Sequence, residues 1–92
     1  MAVTREQIRF IGRVQGVGFR YTCAALAGRS GVVGWVRNEA DGSVLAEMQG
    51  EPSSIEALLA GLAQSRFIRI DHTDRSPLSV KPGDQGFRIA RG

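Results

Sequence analysis

Arg20 stands where helix electrostatics disfavour a cation, and its neighbours supply what would make the position useful. It closes the run Gly12-Arg13-Val14-Gln15-Gly16-Val17-Gly18-Phe19-Arg20. Ile8, Phe10, Gly12 and Val14 alternate as in a strand, the two glycines read as a turn, and a helical pattern opens at Phe19. A helix N-terminus carries partial positive charge and favours Asp or Glu, yet this first turn holds an arginine and no acid. An anion from outside resolves the conflict. Backbone N–H groups from Gly16 to Arg20 would surround it, and the Arg20 guanidinium would close over it. Such a site suits a phosphate. Turn geometry alone also explains two glycines, so it is the arginine that favours binding.

Asn38 is the second candidate, at the end of a strand-like run and just before Glu39-Ala40-Asp41-Gly42. Asparagine favours turns, and that plain reading stands beside a chemical one. Its amide oxygen can accept from a water while its NH2 donates to a phosphate oxygen. Having no usable pKa, it would orient a nucleophile without deprotonating it. The glycine turn matches neither the Walker loop nor the dinucleotide fingerprint, whose further Gly-Lys or third glycine is missing. Cys23 falls on the inferred buried stripe and reads as core packing. His72 stands alone in a strand, and Trp35 and Phe10 belong to sheet faces. Tyr21 could flank the turn. Arg13 and Arg37 border the candidate residues and read as solvated arginines.

Positioning these groups falls to a small scaffold. Ninety-two residues predict one domain spanning 1–92, and 42% apolar with 23% charged residues is ordinary globular composition. One cysteine and one histidine cannot build a disulfide framework or a Cys/His metal site, and the acids form no ligand-spaced cluster. The N-terminus lacks a signal-peptide core and no apolar run reaches membrane length, so a cytoplasmic, non-membrane protein is expected. Net charge is +3, carried by eleven arginines and Lys81 but dispersed, which suits small anions better than nucleic acid.

Strands are expected at Glu6 to Val14, Val32 to Asn38, Ser43 to Gln49, Phe67 to Asp74 and Gly86 to Arg91. Helices are expected at Phe19 to Ser30, stopped by Gly31, and at Ser53 to Gln64, opened by a Ser53/Glu56 capping box. Ile55, Leu58, Leu59 and Leu62 form the second helix's apolar stripe, and Arg75 to Gln85 reads as a surface loop. The first strand is expected to pair in parallel through crossovers, and the second and third to form a hairpin across Asp41-Gly42. The order predicts an α+β, ferredoxin-like βαββαβ sandwich: a mostly antiparallel sheet with two helices on one face and a short final strand. There the turn after the first strand lies near the end of the second, making Arg20 and Asn38 neighbours.

The run from Gly12 to Arg20 resembles the first signature of the acylphosphatase family. Gly34-Trp35-Val36-Arg37-Asn38, followed by Asp41-Gly42-Ser43-Val44, resembles the second. The similarity is strong from Ile8 to Gly50 and looser beyond. A Gly-Pro often found in the family is replaced by Gln64-Ser65-Arg66-Phe67, and Arg75 to Gln85 aligns poorly.

The resemblance implies a small ferredoxin-like enzyme that hydrolyses acyl phosphates to carboxylate and inorganic phosphate without metal or cofactor. It implies phosphate binding by Arg20 and by backbone amides from Gln15 to Phe19, and a water-holding role for Asn38. The inventory of side chains agrees. Phosphoryl transfer relies mainly on positioning and charge stabilisation. A carboxylate leaves readily, and a dianionic substrate can itself take the proton from water, so a histidine is dispensable. The implied partners are a small acyl phosphate and inorganic phosphate, with a monomeric chain, no nucleic acid and no membrane.

Two other readings remain open at this level. One is a non-catalytic anion-binding or regulatory module of acylphosphatase type. The other is an RNA-binding domain, which needs exposed aromatics on central strands; only six aromatics are present in all.

Overall fold

The computed structural model describes residues 2–91. The elements run β1 (Thr4–Arg13), α1 (Phe19–Ser30), β2 (Val33–Asn38), β3 (Val44–Gly50), α2 (Pro52–Ala63), β4 (Arg69–Leu78) and β5 (Phe87–Ile89). The strands form one sheet in the order β4-β1-β3-β2-β5. Alternation decides which face is which. Ile8 and Phe10 of β1, Val36 of β2, and Val44, Ala46 and Met48 of β3 turn inward. Phe19, Cys23 and Ala27 of α1 and Ile55, Leu58 and Leu62 of α2 meet them in one core. This is the expected ferredoxin-like α+β sandwich, with both helices on one face.

Strand pairing corrects one expectation. β1 is antiparallel to both of its neighbours, β3 and β4, and the parallel pairing is instead β2 with β5. The hairpin is the cause: β3 folds back from β2 and takes the place beside β1. β1 and β2 therefore run the same way without touching.

Element boundaries differ in three further places. α2 opens on Pro52 after Glu51, with no side-chain cap, so the Ser53/Glu56 capping box does not form. Proline at the first helical position already has the required φ, and Glu56 is drawn away to Arg75 Nη2 at 2.5 Å. β4 begins at Arg69, because Phe67 lies in a turn, and it continues through Pro77 to Leu78. An edge strand tolerates proline because half of its N–H groups have no ladder partner. The surface loop is correspondingly shorter than Arg75 to Gln85, and β5 is confined to Phe87–Ile89.

On the sheet's other face, Arg5 is 2% exposed. Its Nε donates to Glu47 Oε1 at 3.0 Å, and its Nη1 donates to Gln49 Oε1 at 3.2 Å and to Asp84 Oδ2 at 2.9 Å. Its Nη2 lies 2.9 Å from Glu47 Oε1 as an ion pair without hydrogen-bond alignment. The Lys81 N–H donates to Gln49 Oε1 at 2.8 Å, and Gln49 Nε2 donates back to the Lys81 carbonyl at 3.0 Å. This cluster pins the segment that delivers β5 to the edge of β2.

Candidate functional site

β1 delivers the chain to Val14, which is buried, and the next four residues turn it into α1. Gly16 and Gly18 have φ of 72° and 78°. That left-handed region costs other L-residues roughly 1–2 kcal/mol each, so this turn requires glycine at both positions. Gly18 is the N-cap of α1; it offers no side-chain cap, and the helix's first turn holds no acid. Among the described residues, the backbone N–H groups from Gln15 to Phe19 find no acceptor within the protein. Phe19 fixes where the helix begins. It is buried against Phe10, with ring centroids 4.9 Å apart and tilted by 56°. Burying two such rings stabilises the junction by about 1.5–3 kcal/mol each.

A second tie holds the turn from the side. Gln15 Nε2 donates to the Glu39 carbonyl at 2.8 Å and to the Ser43 carbonyl at 2.9 Å. Both hydrogens of one amide thus bridge the glycine turn to the β2–β3 hairpin. The hairpin has its own lock. Asp41 Oδ1 accepts from the Ser43 N–H at 2.9 Å and from its hydroxyl at 2.6 Å. Those bonds, with Arg9 nearby, hold the Asp41 carboxyl below its usual range.

Arg20, one residue into the helix, and Asn38, the last residue of β2, line one surface pocket of about 410 Å³ with Glu39, Ala40 and Arg91. The expected adjacency of Arg20 and Asn38 is met. Gln15, Gly16, Val17, Gly18 and Phe19 do not line that pocket; they form the turn that leads directly into Arg20. Arg20 makes no ion pair and no side-chain hydrogen bond among the described residues. Glu39 is the one acid on the pocket wall, and its carboxylate is taken by Arg37 at 2.8 Å, with Arg9 at 3.9 Å. An arginine and an asparagine lining one pocket, with the local acid engaged elsewhere, can accept an anion and present a water to it.

The remaining reactive groups stay outside. Cys23 is buried in the core, and burial pushes its thiol up to about 12, so it is not a thiolate at neutral pH. His72 lies exposed on β4, 2.7 Å from Asp74. Tyr21 is exposed. The Arg37 guanidinium lies over Trp35, 4.9 Å from the ring centroid. Among the described residues no three His, Cys, Asp or Glu side chains gather as a metal site.

Sequence reasoning missed Glu39, Ala40 and Arg91 as pocket residues, and the side-chain bridge of Gln15. Glu39 and Ala40 follow Asn38 directly, which was the available signal. Arg91 had none, because strand pairing alone brings it there.

The acylphosphatase family model matches residues 6–89. This chain belongs to the acylphosphatase family. An acylphosphatase of Salinibacter ruber is 40% identical over 88 residues, covering 95% of this chain and 93% of that protein. One from Thermococcus kodakarensis is 39% identical over 93 residues, covering 97% and 98%. The crystal structure of acylphosphatase from Bacillus subtilis superposes with a TM-score of 0.86 at 28% identity, over 95% of this chain and 98% of the other. The family match spans the glycine turn, Arg20 and Asn38 alike.

Proposed function

We propose that this protein hydrolyses the carboxyl–phosphate bond of small acyl phosphates, releasing a carboxylate and inorganic phosphate. One observation carries the reading. Arg20, which has no carboxylate partner among the described residues, lines one pocket with Asn38, next to a turn of unengaged N–H groups.

The phosphoryl group is held by the amides of Gln15, Gly16, Val17, Gly18 and Phe19 and by the Arg20 guanidinium. Asn38 holds a water with its amide oxygen, in line with the departing carboxylate. The water oxygen bonds to phosphorus as the bridging P–O bond breaks and its electron pair leaves with the carboxylate. A phosphoryl oxygen takes the water's proton, so no side chain of low pKa is required. The fixed donors work by meeting charge on the equatorial oxygens, which is the principal demand of phosphoryl transfer.

The finer expectations complete the proposal: the chain acts as one unit over 1–92, as a cytoplasmic monomer that needs no metal or cofactor and binds no nucleic acid. Among the described residues, no helix is long and apolar enough to cross a membrane. The test is hydrolysis of benzoyl phosphate in the presence of a chelator, with inorganic phosphate as competitor. Turnover that phosphate inhibits competitively is the expected result. Phosphate binding without turnover would make the domain an anion-binding module instead.

A further inference from the structure

Two arginines, not one, line the pocket that holds Asn38. β2 and β5 pair in parallel, with Val36 level with Ile89, and the Ala90 N–H donates to the Val36 carbonyl at 2.8 Å. Two residues further along both segments come Asn38 and Arg91, and both line the pocket that Arg20 of α1 also lines. Arg91 is exposed, and among the described residues it has no carboxylate within ion-pair distance. The contrast with its neighbour is informative: Arg88, within β5, has Asp84 at 3.6 Å. Glu39, on the pocket wall, is engaged by Arg37 and does not neutralise Arg91. Two like charges around one cavity repel each other unless an anion joins them.

We propose that Arg91 is a second substrate-binding residue, contacting the anionic phosphoryl group from the β5 side while Arg20 holds it from α1. This rests on the acyl-phosphate reading of the same pocket and adds a residue that reading does not contain. A dianion with three equatorial oxygens has more acceptor sites than one guanidinium can fill, and arginine meets such oxygens in pairs. Being exposed, Arg91 acts through a partly screened field, so its contribution falls as ionic strength rises.

The test uses R91A and R91K, measured beside wild type for benzoyl phosphate hydrolysis, competitive inhibition by inorganic phosphate, and thermal unfolding. R91A is expected to raise both KM and the phosphate inhibition constant by about 5- to 20-fold at low salt, and by less at high salt. R91K, which keeps the charge but not the two-point geometry, is expected to fall between R91A and wild type. The melting temperature should not move, since no described contact of the side chain is lost. An R91A protein with both constants within about 2-fold of wild type at low salt, beside a wild type that hydrolyses the substrate and binds phosphate, overturns the role of Arg91 alone. A wild type that does neither overturns this proposal together with the acyl-phosphate reading.

Discussion

Arg5 and Arg20 show how one side chain serves two purposes. Arg5 is buried, and its guanidinium is bonded to Glu47, Gln49 and Asp84, which ties β1 to β3 and to the segment before β5. Arg20 is half-buried, has no such partner among the described residues, and opens onto a pocket. A buried cation must be matched inside the fold, or its desolvation makes it destabilising. A cation left unmatched beside a helix N-terminus is tolerated only near water, and it stays available to an incoming anion. The first arrangement holds the scaffold together; the second is the one the proposed phosphate site uses.

The comparison breaks first at Arg20. Arg20→Gln should lower kcat/KM by about 10²–10³ and remove phosphate inhibition. Its melting temperature should stay within about 2 °C of wild type, because the fold does not use this guanidinium. Arg5→Met should do the reverse. It leaves Glu47 and Asp84 short of a partner and should cost about 3 kcal/mol, the low end for a broken buried pair because both carboxylates keep some water. For a domain of this size that is roughly 12–24 °C in melting temperature, with turnover per folded molecule retained.

Acid sharpens the same point. The Arg5 guanidinium holds the Asp84 carboxyl below the usual carboxylate range. A depressed folded pKa contributes stability that is complete above the unfolded value, about 4, and is lost as pH falls through the lower folded value. Wild type should therefore lose stability more steeply than Arg5→Met in urea titrations below about pH 4.

Asn38→Ala should keep the fold and the phosphate inhibition constant while turnover drops by about 10²; near-normal hydrolysis by this variant would remove Asn38 from the mechanism. The smallest effect belongs to the surface triad in which Arg75 reaches Glu6 at 2.8 Å and Glu56 at 2.5 Å. Glu56 is mostly exposed, so Glu56→Gln should cost at most about 0.5 kcal/mol in chemical denaturation and leave activity unchanged.

What could be read in advance was local. Gly16 and Gly18 announce a turn, Gly31 stops α1, and Asp41-Gly42 marks the hairpin, each through its own backbone preference. The shared position of Arg20 and Asn38 followed from those elements and the βαββαβ order. Features set by partners far along the chain were not legible. β4 passes through Pro77 because it is an edge strand, β1 lies beside β3 because the hairpin folds back, and Arg91 lines a pocket with Asn38 because β5 pairs with β2. The Gln15 side chain was equally silent: its acceptors are two carbonyls that only the assembled hairpin presents together.

The central claim is that the glycine turn and Arg20 share one phosphate, and backbone amide NMR during a phosphate titration tests it most directly. The N–H signals of Gln15 through Arg20 should shift together and saturably in wild type, with the response lost in Arg20→Gln. Competitive inhibition by phosphate while those six signals stay still would contradict the claim.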